Sequence, residues 1–507
     1  MSLRVASIAL LLVGCTPGAG DHGATLHADI VGGESSEGEM QRAIAGASRL
    51  GLTSFDGAGQ VVPGLASSWR IADDGLSVIF RLRPRVWPDG KPVTASDVVA
   101  SFRRAAQVGS RNPLRLLLLG IENGGAVVAG AMPPLALGIG APVDNVVEFR
   151  LAGSMPSLLA LLAEPEFSVT RPGVKFALGP FRVADPMKTP NALTRNPGAA
   201  ASPAVTLAGI ALTPVDDPGV AIARFARDRT DVVLGHGLAG FGDARLLAAS
   251  NALRVEPSWG VYGYLANTAQ GPLADARVRR ALAMAIDRDD LGSRLFGVAL
   301  PPVLGLVPQL PSQRIPVLPD WAINAPAARL ELARQLLAAA GFTATTPLTV
   351  TISLPEAREH ALVAAEVAAN WTRIGVATLT IARPDALHAQ AIARGDYQLA
   401  LVERESGLDT PLAFLLPFTC AAKSGGYCNA GADALIAGAA ATADPAAQAT
   451  TLGLAEAAMV ADTPLIPLFA PIRWALVARR VSGWSSNAAG QHPLALLGIN
   501  KGLRIAR

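Results

Sequence analysis

Leu76, Val78, Phe80 and Leu82 alternate with Ser77, Ile79, Arg81 and Arg83, a period of two that predicts a strand with one buried face. Asp73-Asp74-Gly75 before it and Trp87-Pro88-Asp89-Gly90 after it are turn signals. Thr94, with Asp97 three residues on, opens a helix whose apolar stripe is Val98, Val99 and Phe102. A second block predicts strand, connection and strand from Gly179-Pro180-Phe181-Arg182-Val183 to Thr194-Arg195-Asn196-Pro197. Further on, Asp275 caps a helix with Val278, Leu282, Ala285 and Ile286 on one face. Helices over 325–340 and 356–374, stopped by Gly341 and Gly375, flank a strand over 348–354. Strands and helices mixed without a fixed internal period predict an α/β protein and argue against a repeat array.

Half of the 507 residues are hydrophobic and mean hydropathy is +0.35, which raises the question of a polytopic membrane protein. The longest uncharged stretch, 123–143, carries Pro133-Pro134 at its centre and five glycines around them. A spanning helix would break there, so the stretch reads as loop-rich. Alanine, common on soluble helices, accounts for much of the hydropathy. Forty-three basic residues against 40 acidic leave +3, too weak and scattered for a nucleic-acid surface. A chain of this length holds more than one core.

At the N-terminus, Arg4 precedes an apolar run from Val5 to Val13, too short to span a bilayer, and then Leu12-Val13-Gly14-Cys15. That tetrapeptide resembles the bacterial lipobox, which implies a signal peptide over 1–14, acylated Cys15 and a tether over 15–29. The two other cysteines, Cys420 and Cys428, form an isolated close pair. In an exported protein such a pair reads as a loop disulfide, since zinc would need four ligands; the alternative is two free buried thiols.

Other chemistry has little to stand on. Gly235-His236-Gly237-Leu238-Ala239-Gly240 is a GxGxxG after the strand-like 230–234, with Glu256 as a distal acid. No clear βαβ unit surrounds it, and a loop joining strand to helix explains it as well. The six histidines form no HxxxH or HExxH pair, so there is no local metal box. No GxSxG occurs, and a hydrolase has no residue to rest on. The expectation is therefore no catalytic residue, no metal and no cofactor.

The run Pro63-Gly64-Leu65-Ala66, Ser68-Trp69, Asp74-Gly75, Phe80-Arg81-Leu82-Arg83, Trp87, Asp89-Gly90-Lys91-Pro92-Val93-Thr94-Ala95 and Asp97-Val98-Val99 resembles the signature of extracellular solute-binding protein family 5, the peptide- and nickel-binding family. Later blocks keep the family's order: Gly179-Pro180-Phe181, Asn267-Thr268, Ala285-Ile286-Asp287-Arg288, Ala340-Gly341-Phe342 and Pro464-Leu465-Ile466-Pro467-Leu468. The resemblance implies a two-lobed periplasmic-binding-protein-like clamp. Lobe I would comprise 30–50, 177–262 and 465–507, with an inserted subdomain over 51–176, and lobe II would run over 263–464. It also implies a monomeric lipoprotein of the cell envelope that passes a small solute or peptide to an ABC permease. A clamp that has lost its ligand and serves as receptor or assembly partner is the alternative.

In peptide-binding members a tryptophan and then an ammonium-binding aspartate follow a strand matched here by 397–402. The comparison puts Arg404 and Gly407 at those positions. Neither supplies an aromatic wall or a carboxylate, so an ordinary zwitterionic peptide is not the expected ligand. Arg404, Glu405 and Asp409, with Trp259 and Tyr262 at the end of lobe I, are the expected ligand contacts, Arg404 favouring an anionic or aromatic group. The alternative for Arg404 is a solvated place on the rim.

Overall fold

The structure, a computed structural model, describes residues 23–500 apart from 33–34, 175–177, 198–204 and 313–314. The expected signal peptide and Cys15 lie outside the described residues. β1 (Thr25–Val31) opens the fold and is followed by α1 (Ser35–Ser48). Residues 25–29, expected in a tether, are thus part of a strand that pairs in parallel with 209–215 on one side and with 232–234 on the other. Leu26, Ala28 and Ile30 are buried along it, and so are Asp29 and Val31.

A module of its own comes next. β2 (Ala66–Ile71), β3 (Ser77–Leu82), β4 (Ile139–Val143) and β5 (Val146–Arg150) form an antiparallel sheet in the order β2-β3-β5-β4. α2 (Ala95–Ala106) covers it. Its N-terminus is a full capping box, with Asp97 Oδ2 accepting from the Thr94 N–H at 2.9 Å. The 123–143 stretch resolves into a short helix over Gly124–Ala129 and β4, with Pro133 and Pro134 between them.

β6 (Phe181–Asp185), β7 (Thr189–Arg195), β8 (Gly209–Val215), β9 (Val232–His236) and β10 (Leu253–Pro257) return to the first sheet. The chain then crosses to a second sheet made of β11 (Gly260–Ala266), β12 (Leu348–Pro355), β13 (Val376–Arg383), β14 (Leu399–Glu405) and β15 (Leu465–Phe469), and recrosses into β16 (Ile472–Val477). The first sheet has the order β10-β16-β9-β1-β8-β7-β6 and the second β13-β12-β14-β11-β15. Each is the floor of one lobe.

Two expected boundaries move. Residues 260–262 and 465–469, assigned to lobe I, belong to lobe II, because β11 pairs with both β14 and β15. All seven residues of β11 are buried, as a central strand covered on both faces requires. The lobes are therefore joined by two short adjacent crossings, 258–259 and 470–471, held to each other where Ser258 N–H donates to the Pro471 carbonyl at 3.0 Å.

In lobe II, α3 (Ala276–Ala285) is capped by Asp275, which accepts from Arg277 N–H. α4 (Pro326–Ala339) and α5 (Arg358–Thr372) flank β12 in sequence, and α6 (Asp385–Arg394) precedes β14. α7 (Ala430–Ala440) and α8 (Pro445–Asp462) reach across to the inserted module, where Ser154 N–H donates to the Thr442 carbonyl and Gln448 Nε2 to the Ser154 carbonyl. Cys420 and Cys428 are disulfide-bonded in the loop before α7. Among the described residues, no helix is long and apolar enough to cross a membrane.

Candidate functional site

A cavity of about 450 Å³ lies where the two lobes and the inserted module meet, within the ordinary range for small-ligand sites. Lobe I contributes Glu39 and Arg42 from α1, the ends of β9 and β16, and the loop 489–494; lobe II contributes Glu403 and 405–408. A second cavity, about 410 Å³, lies among Arg49, Arg104, Arg111 and Glu166. Among the described residues, none from lobe II lines it, so a hinge motion would neither open nor close it.

The wall from lobe II is set by the pleat of β14. Successive side chains of a strand point to opposite faces, so Glu403 and Glu405 enter the cavity and Arg404 points away. The Arg404 guanidinium lies 5.0 Å from the centre of the Phe418 ring, and burial lowers its pKa. Arg404, expected at the ligand or on a solvated rim, does not line the cavity, and its guanidinium packs on Phe418 instead. The 397–402 strand runs on to Glu405, which carries the alternation three residues further than expected.

Three other expected contacts also lie elsewhere. Tyr262 is fully buried in lobe II, stacked on Phe469 with centroids 4.4 Å apart and bonded through its hydroxyl to His360 Nδ1 at 3.1 Å. Trp259 sits on a crossing strand, where its carbonyl accepts from Ser406 N–H, and its ring does not line the cavity. Asp409 turns outward and accepts from Ser312 Oγ at 2.6 Å. Of the five, only Glu405 faces the cavity. Gly407 lines it too; a Cβ there would lie 2.3 Å from Gln491 Nε2, so glycine admits the 489–494 loop.

Opposite the glutamates stand His236 and Arg473, register partners on β9 and β16. Arg473 Nη2 is 2.7 Å from Glu405 Oε2, and His236 Nε2 is 4.0 Å from Glu403 Oε2 and 3.9 Å from Glu405 Oε1. Burial, then Glu405, push the Glu403 carboxyl up to about 7 against the pull of His236. Desolvation in the cleft works against a charged His236, although its side chain is 44% exposed, and Glu405 and Glu403 outweigh it and raise its pKa. Behind Glu403, His360 Nε2 lies 3.9 Å from Oε1, and burial lowers that imidazole to about 4, keeping it neutral.

The glycine motif builds this wall. A Cβ on Gly235 would overlap the Trp474 ring at 2.0 Å, and one on Gly237 (φ +59°) would lie 2.2 Å from Glu403 Oε2. Gly240 (φ +69°) meets Pro218 in the same way. The motif thus serves close packing, within lobe I at Gly235 and Gly240 and across the cleft at Gly237. Sequence alone names His236 only within that motif, and no local pattern pairs it with Glu403. Their distance along the chain hid the pairing that lobe apposition creates. On the far wall, Glu256 accepts from Trp484 Nε1 and lies 2.7 Å from His492 Nε2.

Residues 60–426 match the family model of bacterial extracellular solute-binding proteins, family 5. The chain belongs to this family. It is 26% identical over 464 residues to the periplasmic oligopeptide-binding protein OppA of Salmonella typhimurium, covering 88% of this chain and 84% of that one. Its fold superposes on Haemophilus influenzae OppA in complex with the peptide RPPGFSPFR with TM-score 0.82 at 22% identity, over 94% and 99% of the two chains. Against the unliganded open form of the murein tripeptide-binding protein MppA, TM-score is 0.65 at 21% identity, over 95% and 99%. The two-lobed α/β clamp is therefore the fold, and the lobes stand nearer the arrangement of the peptide complex than that of the open form. The family is one of solute-binding proteins.

Proposed function

We propose that this protein is the extracytoplasmic capture component of an ABC importer, a monomer that closes its lobes on a small solute and hands it to a membrane permease. The observation that carries the reading is the cavity walled by both lobes and served by two adjacent crossing strands. Hinge opening about such crossings exposes the whole site at once, and closure buries the solute. The relatives named for peptide binding support the same role. The ligand class need not follow theirs, since Gly407, packed against Gln491, offers no carboxylate to a peptide's ammonium group.

Cys15 is proposed as the lipid attachment point that keeps the clamp at a membrane of the cell envelope. Replacing Cys15 by Ser should release the protein from the membrane fraction. For capture itself, native mass spectrometry on protein purified without denaturation should show a bound small solute. A solute at 100 times its dissociation constant should add about 2.7 kcal/mol to stability. A chain that carries no solute and responds to none in a broad thermal-shift panel would end the capture reading.

A further inference from the structure

The cleft is lined by five glutamates against two arginines and two histidines. Three of the glutamates have a basic partner within 2.7 Å: Glu164 has Arg42, Glu256 has His492 and Glu405 has Arg473. Among the described residues, Glu403 has His236 and His360 alone, at about 4 Å. The Glu405 side chain is 6% exposed and that of Glu403 is 11%. Even so, Glu405 Oε1 and Glu403 Oε2 accept no hydrogen bond among the described residues. A buried carboxylate oxygen without a donor is costly, so these two oxygens mark a place for a cation or a donor that the described residues do not supply.

We propose that the solute carries an aliphatic ammonium or guanidinium group and that Glu403, Glu405 and His236 together hold it. The proposal rests on the solute-capture reading and names the class of solute. Spacing decides between this group and a metal ion. The three ligand atoms lie within 4.8 Å of one another, the two distances to His236 being 3.9 and 4.0 Å. A nitrogen donating three charge-assisted bonds of about 2.8 Å at 90–109° spaces its acceptors about 4.0–4.6 Å apart. A zinc-like ion at about 2.1 Å would need them about 3.0–3.4 Å apart.

Arg473 against Glu405 is a further obstacle to a dication, whereas an ammonium group needs only the outer oxygens. In this arrangement His236 accepts through Nε2 as the neutral imidazole, so binding displaces a proton from the site. Because Glu403 and Glu405 stand on lobe II and His236 on lobe I, one amine nitrogen would tie the lobes together.

Isothermal titration of the full-length protein and its Glu403→Gln and Glu405→Gln variants tests this. The probes are cadaverine, agmatine and trilysine, with glutarate and pentane-1,5-diol as anionic and neutral counterparts and zinc and nickel salts alone. At least one cationic probe should bind the unaltered protein and lose more than tenfold in Glu403→Gln, whose melting temperature should hold or rise. Trilysine alone would identify a peptide side chain as the source of the group; cadaverine or agmatine would identify a small amine. Equal affinity in both glutamine variants would overturn the site. Binding of glutarate or the diol alone would overturn the charge class and leave capture standing. A metal that binds more tightly than every amine and is lost in Glu403→Gln would replace the amine. No binding of any probe, with no solute carried through purification, would remove both this proposal and the capture reading beneath it.

Discussion

Gly237 of lobe I lies directly against the carboxylate of Glu403 of lobe II, so close that a Cβ on Gly237 would sit 2.2 Å from Oε2. The contact exists only when the lobes are together. At φ +59° the glycine also occupies a backbone region that costs an alanine about 1–2 kcal/mol.

Gly237→Ala should therefore oppose closure more than folding. Small-angle scattering should show a larger radius of gyration for the variant than for the parent, and affinity for the captured solute should fall about tenfold or more. An unchanged radius and affinity would mean that the lobes do not meet at this point in solution.

Arg404→Ala should behave as a stability variant. Its guanidinium faces Phe418 on the side of β14 away from the cavity, and loss of a desolvated cation–π contact costs about 1–2 kcal/mol. Denaturant unfolding should register that loss while solute affinity stays within about twofold. A large change in affinity with stability unaltered would reverse the assignment of faces.

The Cys420–Cys428 bond closes a short loop ahead of α7. In the chain-entropy model a loop of this size is worth about 2–3 kcal/mol. Thiol titration of denatured, non-reduced protein lacking Cys15 should find no free thiol, and reduction should lower stability by that amount. Two titratable thiols in exported protein would contradict the bond.

The contribution of His360 to the pH dependence has a definite sign, opposite to that of Glu403, whose raised carboxyl pKa of about 7 makes its own contribution fall as pH rises. The His360 pKa falls to about 4 on burial, with His388 and His236 lowering it further. The unfolded chain takes up a proton near 6.5 that the folded chain refuses. The His360 contribution to stability is complete above pH 6.5 and is lost as pH falls from there towards 4, by about 3 kcal/mol at most. His360→Gln should remove it, so that the difference in unfolding free energy between parent and variant changes over that window; a constant difference would mean that His360 does not titrate this way.

Local signals in the sequence located most of the elements and few of the contacts. Thr94 with Asp97, and Asp275 with the Arg277 amide, are caps within one turn, where sequence neighbours are also spatial neighbours. The 77–82 strand follows its own alternation. By contrast, the faces of β14 depend on where the strand ends. Taking it to end at Val402 left Arg404 free to be placed in the cleft, whereas pairing of Gly260 with Glu405 extends the pleat and turns Arg404 to the far side. The His236–Glu403 apposition depends on how two lobes meet, and no local periodicity encodes that.

The paired crossings also set the order in which the molecule can be assembled. Every strand of lobe II lies between Gly260 and Phe469, but the first sheet has β16 between β9 and β10 and lacks an interior strand until Ile472–Val477 is available. As the chain emerges from its N-terminus, the lobe that begins first must finish last. A truncation just before Ile472 would leave all five lobe II strands in the chain and deny lobe I the strand that joins β10 to the rest of its sheet.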